Sequence, residues 1–225
     1  MSDRFVLHAP KDEIETLFEI SSTREDYFEA DYNITPGSMH PIVVNNEGAR
    51  EHHQARWGLI PPDADEERAG KGNYAISAEE VRDNDWQAEC VNQRRCLVPA
   101  NGFYKWKSSE KKTTPFYIRL MSNKLTAFAG VYSLWQSSSG RDVYSFAILT
   151  TKANTLVEPV DDRMPVLLRR ADFNRWLGGD ELTSAMHKEL LAEPYPLTEM
   201  AVNRVDEAVN DISNNSPELI QPIPK

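Results

Sequence analysis

"RRCLVPANGFYKW", residues 94–106, sets apolar and aromatic residues between turn signals, and its reading decides the fold. Three further runs of the same kind follow: "PFYIRLM" (115–121), "TAFAGVYSLW" (126–135) and "VYSFAILTT" (143–151). Each is rich in β-branched and aromatic residues and bounded by turn residues, which favours strand over helix. Their spacing suits an antiparallel sheet curled on itself in a barrel-like form.

Upstream, "KDEIETLFEI" (11–20) places Ile14, Leu17 and Phe18 on one face after Pro10, the pattern of a short helix. "PGSMHPIVVNNEG" (36–48) reads as a Pro-Gly turn, a strand over 41–44 and a hairpin. "ARWGLIPPDADEER" (55–68) reads as a strand ended by Pro61-Pro62 and an acidic loop. Downstream, residues 171–191 become helical, interrupted at Gly178-Gly179, with Asp180 as the expected N-cap of a second helix. The tail from Val209 is polar and punctuated by proline. No linker separates the strands, so the expectation is one α+β domain over 1–225, dominated by β structure with flanking helices.

Composition narrows the function classes. The chain has 225 residues, 40% hydrophobic and 27% charged, enough to bury a real core. It contains no apolar stretch of membrane-spanning length, and "MSDRFVLHAP" has no signal-peptide character. Cys90 and Cys96 are too few for a disulfide framework, which suits the cytoplasm. The five histidines lack ligand spacing, so no structural metal is expected; no cofactor is expected either. A net charge of −10 works against nucleic-acid binding unless the cations gather in one groove.

Five segments carry more information: "RWGLIP" (56–61), "RRCLVPANGFYKW" (94–106), "AGVYSLW" (129–135), "TTKANTLVEPVDDRMPVLL" (150–168) and "VNDISNNSPELIQP" (209–222). In order and spacing they resemble the SOS-response-associated peptidase (SRAP) family, the abasic-site processing proteins, over nearly the whole chain. The resemblance implies a curled sheet with flanking helices and a groove for single-stranded DNA. It also implies an N-terminal cysteine, freed by removal of the initiator Met, that captures the abasic aldehyde as a thiazolidine. A carboxylate in "GFYEW" and a histidine in "HDRMP" would move the protons. The Asn and Arg of "NARAET" would position the N-terminus and a phosphate. The family's peptidase activity is loss of its own leading residue, and no Ser-His-Asp triad can be argued here.

This sequence departs at every one of those positions. "MSDRF" stands for "MCGRF", leaving Ser2, whose hydroxyl would form only a labile oxazolidine. Lys105 replaces the carboxylate, reversing the charge, and Asp161 replaces the histidine. "AISAEE" (75–80) aligns with "NARAET", so Ala75 and Ser77 stand for the Asn and Arg, with Asn73 two positions early. The family's second Trp is Asp63. If Lys105 and Asp161 face each other they form a salt bridge across the old pocket; Asp162 is then an ordinary neighbour.

The frame persists in Arg4, "YNITPG" (32–37), Trp57, Asn154 and Arg163-Met164-Pro165. Arg4, Asn33, Pro36 and Arg163 are the DNA-binding candidates on the resemblance. Trp57, Trp106, Trp135 and Met164 read as core, and Arg163 equally as a tie between loops. Three readings follow. The first is a degenerate protein that keeps non-covalent binding to single-stranded or abasic DNA, or a regulatory role. The second is an enzyme forming a reversible Schiff base through the Ser2 α-amine or Lys105. The third is a protein-interaction module without DNA binding.

Overall fold

The computed structural model describes residues 4–21, 29–110, 112–178 and 182–223; Ser2 and Asp180 lie outside them. In chain order its strands are β1 (Arg4–Leu7), β2 (Asp31–Ile34), β3 (Met39–Asn46), β4 (Ala49–Trp57), β5 (Ala75–Ser77), β6 (Arg95–Ala100) and β7 (Gly102–Ser108). They continue as β8 (Thr113–Leu120), β9 (Thr126–Gln136), β10 (Asp142–Lys152), β11 (Arg163–Pro165), β12 (Leu167–Leu168) and β13 (Met200–Arg204). The helices are α1 (Lys11–Phe18), α2 (Asp85–Gln93), α3 (Phe173–Leu177) and α4 (Ser184–His187). The α+β class is as expected.

Two sheets share the core. The first is antiparallel with order β13-β8-β7-β1-β2. The second runs β10-β4-β3-β6-β9 and returns to β10 through β9, so five strands close on themselves. Closure removes the open edges that would otherwise invite pairing with other chains. The antiparallel expectation fails at β10, which runs parallel to β4 (Phe146↔Trp57) and to β5 (Leu149↔Ile76). Parallel pairing needs a long crossover, and the chain between Trp57 and Asp142 supplies it.

Local sequence explains the joints. The β3–β4 hairpin turns on Glu47 and Gly48, both at positive φ (50° and 90°), the twist that two-residue hairpins require. Gly102 opens β7 because a Cβ there would stand 2.6 Å from the Ile118 carbonyl and the Tyr117 ring. The helical stretch of 171–191 divides at Gly178, the C-cap of α3, and Thr183 caps α4 by accepting from the Met186 N–H at 3.2 Å. Helix α2, capped by Asn84, and the edge strand β13 are additional elements.

Phe5, Phe103, Phe128 and Trp57 meet edge-to-face between the two sheets. Trp57, Trp135 and Met164 are buried, as read from the sequence, while Trp106 is half-buried beneath the Arg4 guanidinium. Among the described residues no helix is long and apolar enough to cross a membrane.

Candidate functional site

The seam between the sheets holds a cavity of about 20 Å³, room for one water. Arg4, Phe5, Phe103 and Lys105 approach it from the first sheet, Ala75 and Pro165 from the second. Stretches far apart in the chain therefore converge, among them the start of β1, β5, the centre of β7 and β11. Of the candidate site positions that the sequence singled out, Arg4, Ala75 and Lys105 line the cavity; Ser77 and Asp161 do not.

Lys105 is forced inward by strand alternation. Its register partner is Phe116, and only 4% of Lys105 is exposed. Its Nζ lies 3.6 Å from Asp161 Oδ2, on the loop that leads into β11. The two side chains are 5% and 13% exposed. Asp161 also accepts the Arg163 backbone N–H through Oδ1 at 2.9 Å, so one carboxylate caps its own turn and neutralises a lysine from the other sheet. Asp162 is exposed, and its carbonyl accepts the Ala153 N–H at 2.8 Å.

Beside the cavity, Glu79 gathers the second sheet's loops. It accepts from Arg163 Nη2 at 2.8 Å, from Ser77 Oγ at 2.9 Å and from Thr151 Oγ1 and the Lys152 N–H at 3.2 Å. Burial pushes its carboxyl up, but the bonds from Arg163, its own N–H and Ser77 outweigh that and hold it at about 2. Arg163 gives the same nitrogen to the Thr150 carbonyl at 2.6 Å. Arg163 thus ties β10, β11 and the Glu79 turn together. Sequence reading gave Glu79 no role; its persistence beside the altered Ala75 and Ser77 was the available signal. Asn73 bonds the carbonyls of Leu59 and Ala69 at 3.3 Å each, away from the Ala75 position.

Of the remaining candidates, Arg4 and Asn33 hold the tail. Arg4 donates to the carbonyls of Val209 and Asn210 and to Asn33 Oδ1 at 3.1 Å. Asn33 Nδ2 donates to the carbonyls of Val209, Asp211 and Asn214 at 3.3, 3.0 and 2.9 Å. Pro36 is exposed on a turn closed by Ser38 N–H to Thr35 carbonyl, 3.1 Å, with Gly37 at φ 94°. In the acidic loop, Glu67 bridges Arg56 at 2.7 Å and Arg141 at 3.0 Å, so these cations are already paired.

A curled barrel with a second sheet against it, and a pocket at their seam lined from β1, β5, β7 and β11 among others, define a protein class. The chain belongs to the SOS response associated peptidase (SRAP) family, whose model matches residues 1–212. It is 35% identical to the abasic site processing protein YoqW of Bacillus subtilis, over 98% of this chain and 99% of that one. It is 33% identical to YoaM of the same organism, also named an abasic site processing protein, over 98% and 97%. A solved protein from Bacteroides thetaiotaomicron shares the fold, with a TM-score of 0.85 at 21% identity, covering 98% of this chain and 99% of that one.

Proposed function

We propose that this chain serves the response to DNA damage as a non-covalent binder of single-stranded or abasic DNA, its family's covalent capture having been lost. The observation that carries this reading is the Lys105–Asp161 pair. It sets a lysine on the cavity wall, with a carboxylate 3.6 Å from its Nζ, where proton transfer calls for a carboxylate and a histidine. An aspartate is a poor proton shuttle near neutral pH. Ala75 supplies no amide to orient a nucleophile, and Ser2 supplies no thiolate. The names of the relatives, abasic site processing proteins, support the substrate class. We further place the protein in the cytoplasm, as a single domain.

The test is binding of labelled single-stranded DNA, with and without one abasic site, across a salt series. The expected result is weak, reversible binding whose affinity falls with salt by only a few counterions' worth, because Arg4, Arg56, Arg141 and Arg163 are engaged within the protein. Absence of binding at low salt would favour a protein-interaction module.

A second reading rests on the position of Lys105 at the cavity: an amine there could form a reversible imine with an aldehyde. Its ion pair with Asp161 opposes this, since an ammonium has no lone pair to offer.

A further inference from the structure

Beyond the cavity, the first sheet carries its seam face out toward solvent. Alternation along its strands sorts the side chains into two faces. Phe103, Ile118 and Val202 turn to the main core, whereas Tyr104, Tyr117 and Val205 turn to a smaller apolar cluster beneath the tail. Cross-strand partners share a face, and the register pairs Lys105 with Phe116 and Phe116 with Arg204. These three therefore form one row on the seam face, next to the row of Phe103, Ile118 and Val202. Lys107 follows on the same face, two residues further along β7, with Thr114 opposite. Lys105 is matched to Asp161 at 3.6 Å. Lys107 and Arg204 are exposed, and neither side chain enters an ion pair or a hydrogen bond with a described residue. Phe116, between them, is half-buried and joins none of the buried apolar clusters among the described residues. A partly open aromatic ring between two unmatched cations suits a flat ligand with negative charge on both sides.

We propose that this row is a landing platform for single-stranded DNA, with Phe116 stacking one base and Lys107 and Arg204 holding the phosphates on either side of it. The inference rests on the DNA-binding reading above and names the residues that carry it. Stacking on an aromatic ring tolerates any base, and paired cations track the backbone without reading sequence. Arg4, Arg56, Arg141 and Arg163 are engaged within the protein, whereas Lys107 and Arg204 are not. The platform adjoins Lys105 on the cavity wall, so a strand stacked on Phe116 lies beside the seam. A run of carboxylates on a peptide would meet the two cations but has no flat group for the ring.

The test is fluorescence anisotropy of a labelled single-stranded DNA dodecamer with the full chain, across a salt series. Lys107→Gln with Arg204→Gln is expected to flatten the slope of log affinity against log salt by about 1.4, two phosphates' worth. Phe116→Leu keeps the apolar bulk and is expected to weaken binding about tenfold with the slope unchanged, and Phe116→Trp restores it. Lys188→Gln, exposed just after α4, leaves strength and slope as they are. Should Phe116→Leu lose the fold in a melting curve, the slope of the charge variant decides alone. Parent binding whose slope survives the charge variant, or whose strength survives a folded Phe116→Leu, overturns the platform and leaves the DNA reading standing. No binding by the parent at low salt overturns both. A polyglutamate peptide that competes as well as unlabelled DNA reassigns the cations to an acidic protein partner and overturns the proposal.

Discussion

Lys105 Nζ and Asp161 Oδ2 stand 3.6 Å apart across the seam between two sheets, in a setting that leaves 5% and 13% of their side chains exposed. Neither charge could be buried there alone, since an unpaired buried ion costs several kcal/mol. The pair therefore holds the β11 loop to β7 and fixes the cavity's shape. Lys105→Met or Asp161→Asn alone is expected to lower stability by about 3 kcal/mol, with Lys105→Met/Asp161→Leu recovering most of it. Urea unfolding of the two single variants and the double variant measures the coupling directly.

Glu79 gives a second, pH-resolved prediction. Its carboxyl sits at about 2 in the fold and at about 4.3 in the unfolded chain. Its contribution is thus complete above about pH 4.3 and disappears as pH falls toward 2. A melting-temperature series over that window should be flatter for Glu79→Gln than for the parent chain, although the variant starts lower.

His40 acts in a higher window. Held neutral down to about 3, it leaves the unfolded chain as the only state able to take a proton below about pH 6.5. Stability therefore falls from pH 6.5 toward pH 3, by about 2 kcal/mol at pH 5 relative to pH 7. His40→Phe should remove that part of the pH dependence in urea unfolding at the two pH values. An unchanged slope would mean His40 does not set it.

Asn33 tests the tail. Its amide serves three carbonyls between Val209 and Asn214, and Val209 packs with Val6, Tyr104 and Leu219 in a small core of its own. Asn33→Ala is expected to cost about 1–3 kcal/mol, read as faster amide exchange across residues 206–219 with the barrel strands little changed.

Local pattern carried the class of the fold well. Apolar, aromatic runs bounded by turns became β6 to β10, and the Asn-Asn-Glu-Gly hairpin formed where its positive-φ residues allow. The parallel pairing of β10 with β4 and β5 was not legible, because strand direction is set by long crossovers rather than by any short stretch. Within the site, the opposite charges at positions 105 and 161 pointed to their contact. That Arg4 and Asn33 clasp the tail was not legible: the acceptors are backbone carbonyls some 180 to 200 residues away, which carry no side-chain signature.

The most direct measurement of lost covalent capture is a denaturing gel after incubation with single-stranded DNA bearing one abasic site, with and without borohydride. The account predicts free DNA in both lanes for the parent chain, and an adduct only once Ser2→Cys, Lys105→Glu and Asp161→His are introduced together. A heat-stable band from the parent chain without reductant would contradict it outright. A band only with reductant would show a surviving imine-forming amine and replace non-covalent binding with reversible Schiff-base chemistry.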